Sequence, residues 1–542
     1  MGAMSPTLAA DAAWPAAAIA AAEAPLTAGT DRYMRAAAHA VTAAALDELR
    51  GHRAGAAGAR VLALVGGGHN GADTLLAAAA LARRGCAVSA ALATDHPLPA
   101  ALDRARDAGV RLAGDPREAV GAFLEAGGDL VLDGLTGIGA TGGLRPRAAA
   151  LIAPLLECTA GSAGATEPAG GRPFRVLAVD LPSGTGVDDG TLPAPVLPAD
   201  RTVTFTCLKA ALCLPPACRL AGRVEVVDLG LPVPQGPPTV MRPARAGLAL
   251  PAPGPEDHKY TRGVVGLWAG SRAYPGAGLL AASGAARAGA GMVRLHAPRR
   301  VEDLVLSARP EVVTAPGRCQ AVVLGPGVDP ADEPRAAELT AVLSSCLDDG
   351  GSPRAAGAPA VIDAGALPLL ADLVARGARC GPQHLLSPHA GEAAAALSAL
   401  AASARPHWDR ARVEADPGRA ALRLSGLTGA TVVLKGSPTL IASPGHPLCS
   451  VPAGPGWVGT AGSGDVLAGI LGALLAGAAV AWEAGALAPS APEAVRVAAT
   501  AVRLHALAGT LAADRQGVGT PIVAMDIAEA VPRAWAALLV ES

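Results

Sequence analysis

Aromatic residues are nearly missing from this chain: six Trp, three Tyr and three Phe among 542 residues. Its core must therefore be built mostly from Ala, Val and Leu. Lysine and asparagine are scarcer still. Of 44 basic residues only Lys209, Lys259 and Lys435 are lysine, and Asn70 is the single asparagine. Such a bias suggests a GC-rich genome that replaces Lys and Asn wherever Arg, Ala or Gly will serve. The survivors point to positions where the substitute fails, since a guanidinium cannot mimic a compact ammonium at a tight site. An excess of either charge is also lacking, with 44 basic against 46 acidic residues. Nothing indicates a nucleic-acid footprint or a polybasic membrane patch. The nine cysteines are odd in number and include no Cys-x-x-Cys pair. That spacing argues against a disulfide framework or a zinc ribbon, and for a reducing cytosol. Met1 to Pro25 has no basic region ahead of its apolar stretch, so no signal peptide is expected. The longest apolar run, Val466 to Trp482, follows a Gly-Ser-Gly-Asp turn and is shorter than the ~20 residues of a membrane span. It reads as a buried helix of a soluble, cytoplasmic protein.

What is present is 51% hydrophobic residue content, enough for one or two sizeable cores. Gly and Pro number 67 and 47, high but below the ~25–30% that marks disorder. In the first half, Val61–Gly66, Ala87–Leu92, Leu130–Leu135, Val176–Leu181, Thr202–Phe205 and Val224–Leu229 read as buried strands. Helical segments such as Ala72–Arg84 lie between several of them, which implies a parallel, doubly wound α/β sheet. Cys158–Pro173 reads as a surface loop, and proline-rich Leu231–Pro255 as an interdomain linker. The expected domains are therefore 1–232 and 257–542, with 233–256 between them. The second half repeats the alternation through Val264–Ala269, Val293–His296, Ala321–Leu324, Ala360–Ile362, Leu385–Leu386 and Thr431–Leu434. Charged Arg405–Arg419 is expected to be a surface excursion.

Val65-Gly-Gly-Gly-His-Asn-Gly-Ala-Asp73 follows a strand and opens a helix, where exposed N–H groups and the helix dipole attract phosphate. The spacing is not Gly-x-Gly-x-x-Gly. The plainer reading is a tight turn with Asp73 as a helix cap. Asp133-Gly-Leu-Thr-Gly-Ile-Gly139 and Val179-Asp-Leu-Pro-Ser-Gly184 end two further strands. Strand ends converge on one crevice in an open α/β sheet, so Asn70, Asp133, Asp180 and Ser183 can meet there. Their oxygens suit a hard cation or a polar ligand.

With Thr204-Phe-Thr-Cys-Leu-Lys209 and Asp228-Leu-Gly-Leu-Pro232, these motifs resemble the NAD(P)H-hydrate epimerase domain over about Trp14 to Pro232. The resemblance implies a potassium ion on Asn70, Asp133 and Ser183. It implies hydrated dinucleotide along His69, Asn70, Gly71, Ala72 and Asp73, along Gly137, Ile138, Gly139, Ala140, Thr141, Gly142 and Gly143, and at Asp180. Asp180 is the expected catalytic, proton-moving residue for inversion at C6, with Lys209 a second candidate. Two departures stand out. The family usually carries Asn-Asn-Gly-Gly-Asp where this chain has His69 to Asp73, and Ala72 is costly if that position needs a positive φ. Thr136 and Ile138 replace the Phe and Thr that the family favours.

The second half carries His258-Lys-Tyr-Thr-Arg-Gly263, Ala269-Gly-Ser-Arg-Ala-Tyr-Pro-Gly-Ala-Gly278, Leu324-Gly-Pro-Gly-Val328 and Ile362-Asp-Ala-Gly-Ala-Leu367. Ser387-Pro-His-Ala-Gly-Glu392, Leu434-Lys-Gly-Ser-Pro-Thr439 and Gly459-Thr-Ala-Gly-Ser-Gly-Asp-Val-Leu467 follow. The Gly462–Asp465 turn offers free N–H groups to a phosphoryl group in transfer, and Asp465 can act as base towards a hydroxyl. The plainer reading of Asp465 is a helix N-cap.

In this order the motifs resemble the ribokinase-like superfamily, and within it the ADP-dependent NAD(P)H-hydrate dehydratases, over about Asp257 to Pro532 with His505 included. That implies hydrated dinucleotide at Ala277, Gly327, His389 and Asp465. It implies ADP on Lys435, Gly436, Ser437, Pro438, Thr439 and Gly464, and magnesium organised by Glu392. His389 can equally be a satisfied structural histidine. The two resemblances imply one repair function: interconversion of (R)- and (S)-NAD(P)HX, and dehydration of the S form with ADP as co-substrate, releasing AMP and phosphate. A homo-oligomer is expected. The alternative is a ribokinase-like vitamin or sugar kinase carrying a noncatalytic N-terminal domain.

Overall fold

The computed structural model describes residues 11–53, 55–160, 172–347, 357–401, 407–515 and 517–540. The chain divides into two compact units between Met241 and Arg242.

In the first unit, β1 (Arg60–Val65), β2 (Ala87–Leu92), β3 (Arg111–Leu112), β4 (Leu130–Gly134), β5 (Arg175–Val179), β6 (Arg201–Phe205) and β7 (Arg223–Val227) form one sheet in the order β3-β2-β1-β4-β5-β6-β7. Every pairing is parallel. The period of two in β1 shows why both faces are covered. Val61, Ala63 and Val65 pack with α1 (Arg32–Arg53) and α2 (Gly68–Ala82). Leu62 and Leu64 pack on the other face with α3 (Pro116–Glu125) and α4 (Pro146–Ala160). The strand order reverses between β1 and β4, which opens a crevice at their carboxyl ends.

In the second unit, β8 (Val264–Trp268), β9 (Met292–Leu295), β10 (Ala321–Leu324), β11 (Ala360–Ile362), β12 (His384–Leu386), β13 (Thr431–Leu434), β14 (Thr439–Ala442) and β15 (Leu448–Val451) run in the order β15-β14-β13-β12-β11-β10-β8-β9. The strands from β9 through β13 are parallel, and β14 and β15 are antiparallel additions. Four helices matter for the site: α5 (Pro275–Arg287), α6 (Ala390–Leu400), α7 (Ser463–Glu483) and α8 (Ala491–Ala513). By length and composition alone α7 could cross a membrane. Here every residue from Val466 to Ala476 is buried, in the core shared with α5 and α8. None of the nine cysteines is joined in a disulfide.

Several expectations need correction. Cys158–Ala160 complete α4 instead of beginning a loop, and 161–171 lie outside the described residues. Of Arg405–Arg419, 405 and 406 lie outside the described residues, and the rest is not a plain surface excursion. Arg410–Ala415 and Pro417–Thr428 are helices capped by Asp409 and Asp416, and Val413 and Ala420 are buried. The expected linker 233–256 is a different case: the division between the two units falls inside it, with Val240–Met241 paired to Ala12–Ala13 and Arg245–Gly247 in a 3-10 turn. The short strands β3, β14 and β15 were not anticipated.

Candidate functional site

In the first unit α2 begins directly at the end of β1, so its first turn faces the crevice. Gly67 caps it without a side-chain bond, which rules out Asp73 as the cap. Gly71 is needed because a Cβ there would overlap the Gly66 carbonyl. Ala72 is buried within α2 and is not among the positive-φ residues, so alanine is unstrained there. The feared cost at this position is absent.

Asn70 Nδ2 donates to Thr136 O at 2.8 Å, while its Oδ1 is buried without a hydrogen-bond partner. Asp133 accepts from Ser183 N at 2.9 Å, and Ser183 Oγ accepts from Thr136 N at 3.0 Å. Asn70, Asp133, Thr136 and Ser183 are thus linked across three strand ends. Thr136 Oγ1 also accepts from Gly184 N, and Ile138 packs beside the Trp14 and Ile19 cluster, so both departures from the family pattern are accommodated. The orphaned Asn70 carbonyl oxygen is what a hard cation would satisfy, and the oxygen-only donor set fits potassium.

Asp180 adopts φ 70°, unusual for a non-glycine residue at the end of a strand. Its Oδ1 accepts from Thr204 Oγ1 at 2.9 Å and lies 2.7 Å from Lys209 Nζ. Lys209 is 2% exposed and also donates to Thr204 Oγ1 and Phe205 O. Its four-carbon stem and compact ammonium explain why arginine has not replaced it. The other oxygen, Asp180 Oδ2, faces Gly137, as does the Asn70 side chain. Asp73 is buried with Oδ1 unpartnered. Burial, and secondarily the Asp180 charge, pushes its carboxyl well above the usual range. Burial likewise raises Asp133, opposed by its bonds from Ser183. Of the remaining expected contacts, His69, Gly139, Thr141, Gly142 and Gly143 are exposed, and Ile138 and Ala140 are half-buried.

In the second unit the site gathers at the start of α7. Gly462 caps the helix with φ 86° and no side-chain bond. Asp465 is therefore not a cap, and its carboxylate is free for other work. Burial, then the nearby Asp363 charge, pushes the Asp465 carboxyl up to about 6, with Lys435 opposing. Lys435 Nζ sits 2.8 Å from Asp363 Oδ1 and 3.8 Å from Glu392 Oε2. Burial disfavours its charge, but Asp363, Glu392 and Asp465 outweigh that and raise its pKa. A Cβ on Gly464 would lie 3.6 Å from this ammonium, which places Lys435 over the first turn of α7. Lys435 to Thr439 joins β13 to β14, and Lys435 N is tied to Pro388 O.

His389 caps α6: its Nδ1 accepts from the amides of Gly391 and Glu392, and Glu392 Oε2 accepts from His389 N at 2.8 Å. Its ring nonetheless stays 61% exposed. Ala277 and Gly327 touch, since a Cβ on Gly327 would overlap the Ala277 methyl. Among the described residues no group of three or more His, Cys, Asp or Glu side chains is poised to hold a metal ion.

Sequence reasoning left Asp363 out of the site, although it lies in the quoted Ile362–Leu367 segment. A carboxylate directly after a parallel strand was the available signal.

One parallel α/β unit with a buried carboxylate–lysine pair at its crevice, and a second with a lysine–carboxylate pair over a helix start, define a two-unit α/β protein with one candidate site in each unit. Residues 30–211 match the family described as YjeF-related protein N-terminus, and residues 265–533 match NAD(P)H-hydrate dehydratase. The bifunctional NAD(P)H-hydrate repair enzyme Nnr of Mycobacterium tuberculosis is 38% identical over 485 residues, covering 86% of this chain and 90% of that protein. An NAD(P)H-hydrate epimerase of Clavibacter sepedonicus is 43% identical over 235 residues, 42% of this chain and 95% of its own length. An ADP/ATP-dependent NAD(P)H-hydrate dehydratase of Bacillus subtilis, crystallised with ATP and Mg2+, is 25% identical with a TM-score of 0.41, covering 54% of this chain and 95% of that one. The chain belongs to the family of bifunctional NAD(P)H-hydrate repair enzymes.

Proposed function

We propose that residues 1–232 interconvert (R)- and (S)-NADHX and NADPHX, and that residues 257–542 dehydrate the S form with ADP. The observation that carries this reading is Asp465, a carboxylate with a pKa near 6 beside the amides that open α7. A base is most useful when its pKa lies close to the working pH.

Asp465 accepts the proton of the C6 hydroxyl as that oxygen attacks the terminal phosphorus of ADP. The phosphorus–oxygen bond to AMP breaks and AMP leaves with the electron pair. Phosphate then departs from C6 with the bonding pair while C5 gives its proton to solvent, restoring the ring double bond. Phosphate leaves where hydroxide would not, which is why nucleotide is consumed. Lys435, anchored by Asp363, meets the phosphates as a point charge, and Gly436 to Thr439 with Gly464 line the nucleotide. Ala277, Gly327 and the exposed ring of His389 hold the dinucleotide. Glu392, with the diphosphate, would hold magnesium, which would supply neutralisation of charge on the phosphates.

In the first unit Asp180, held by Lys209 and Thr204, moves the proton that inversion at C6 requires. His69 to Asp73 and Gly137 to Gly143 cradle the dinucleotide. Asn70, Asp133 and Ser183 would hold potassium, which would supply a fixed positive charge there. The reading expects a cytoplasmic homo-oligomer with no nucleic-acid or membrane partner. The kinase alternative is not favoured, because it leaves the first unit's crevice without a task.

Asp465→Ala should abolish dehydration and leave R/S exchange intact, measured in parallel assays. Retained dehydration would overturn the phosphoryl-transfer assignment.

A further inference from the structure

His505, buried in α8, places its Nε2 3.0 Å from the carbonyl oxygen of Ser463 and 3.1 Å from Ser463 Oγ. A carbonyl can only accept, so Nε2 must carry the hydrogen. Burial, with the Lys435 charge, pushes the His505 ring down to about 4, so it is neutral at pH 7. A neutral ring protonated at Nε2 has no lone pair there, so Ser463 Oγ cannot donate to it. The hydroxyl is left as the accepting partner, with its own proton turned away from His505. No other hydrogen bond of this hydroxyl is found among the described residues.

The Ser463 amide is already engaged, donating to Thr460 O at 3.2 Å. Of this residue's two donors, only the hydroxyl remains for a ligand. Ser463 is also the first residue of α7, two before Asp465 and adjacent to Gly464, which lies under Lys435. A donor here sits in the same first turn as the amides that open the helix, where orphan N–H groups gather.

We propose that Ser463 donates its hydroxyl hydrogen to an oxygen of the phosphoryl group in transfer, and that His505 is the positioning residue that imposes this orientation. The inference rests on the dehydratase reading above. It makes one side chain of the turn a donor in its own right, beyond the backbone amides, and gives a buried histidine of a separate helix control over it.

Dehydration of the S hydrate is measured for the full chain with ADP, with thermal unfolding as a check on folding. Ser463→Ala should lower kcat about 100-fold with a small change in the KM for ADP, as for loss of one transition-state donor. His505→Leu should lower kcat about tenfold, and His505→Gln, whose amide can replace the Nε2 donor, should recover most of it. A purely structural histidine would lower the Tm in both variants and leave kcat unchanged. That result, or full kcat in folded Ser463→Ala, overturns the proposal alone. If Ser463→Ala does not fold, the Leu and Gln pair decides. No turnover by the unsubstituted chain overturns the dehydratase reading, and the proposal with it.

Discussion

Asp363 and Lys435 are 72 residues apart in sequence, yet their side chains meet at 2.8 Å. They follow β11 and β13, whose carboxyl ends flank that of β12 in the parallel sheet. The contact fixes the ammonium over the start of α7, and it sets a second negative charge near Asp465. One pair therefore bears on both the proposed nucleotide contact and the acidity of Asp465, the proposed base.

Asp363→Asn keeps the shape and one acceptor but removes the charge. The KM for ADP should rise about tenfold, equivalent to ~1.4 kcal/mol, while R/S exchange is unchanged. The pH profile gives a second readout. Asp465 must be ionised to act, so kcat/KM should fall as pH drops through about 6. Asp363 raises that value, so Asp363→Asn should move the acid limb to lower pH. An unmoved limb with an unaltered KM removes Asp363 from the site.

Lys209 and Asp180 form the matching pair in the first unit, both buried. Asp180→Asn should abolish R/S exchange, and it should destabilise by about 3–5 kcal/mol because Lys209 is left buried without its counter-charge. Adding Lys209→Met should restore stability, read as Tm, without restoring exchange. Recovery of exchange in the double variant would show that Asp180 is only a structural partner.

The buried Oδ1 of Asn70 has no hydrogen-bond partner, and the proposed potassium ion would supply one. Potassium should raise the Tm of the unsubstituted chain and increase the exchange rate, in line with a ligand bound only by the folded state. Asn70→Ala should lose both responses. A variant with an unaltered potassium response contradicts the cation assignment.

Much of this was legible in the sequence, for definable reasons. Ala87–Leu92, Ala321–Leu324, Ala360–Ile362 and Thr431–Leu434 were read with the bounds the structure gives. The last three are short apolar runs that stop at Gly325, Asp363 and Lys435 and are buried along their whole length, the mark of a strand covered on both faces. Strands β14 and β15 were harder, because Ser443 to Pro447 breaks the apolar signal on both sides. Arg410–Ala415 and Pro417–Thr428 were hidden by their arginines, although each starts at an Asp cap that marks a helix. In the site, Asn70, Asp133 and Ser183 could be read as partners because each ends a parallel strand or opens the helix after one. The Asp363–Lys435 and Ser463–His505 contacts could not, since neither distance nor tautomer is written in local spacing. Ala72 looked strained only against a family motif, and the backbone at that position is helical.

The most direct measurement is recovery of NADH absorbance from a mixed R and S hydrate pool supplied with ADP. Two activities in one chain should return the whole pool to NADH, with AMP and phosphate formed in equal amounts. Recovery that halts at the S fraction would contradict an active first unit, and no recovery with ADP would contradict the repair function itself.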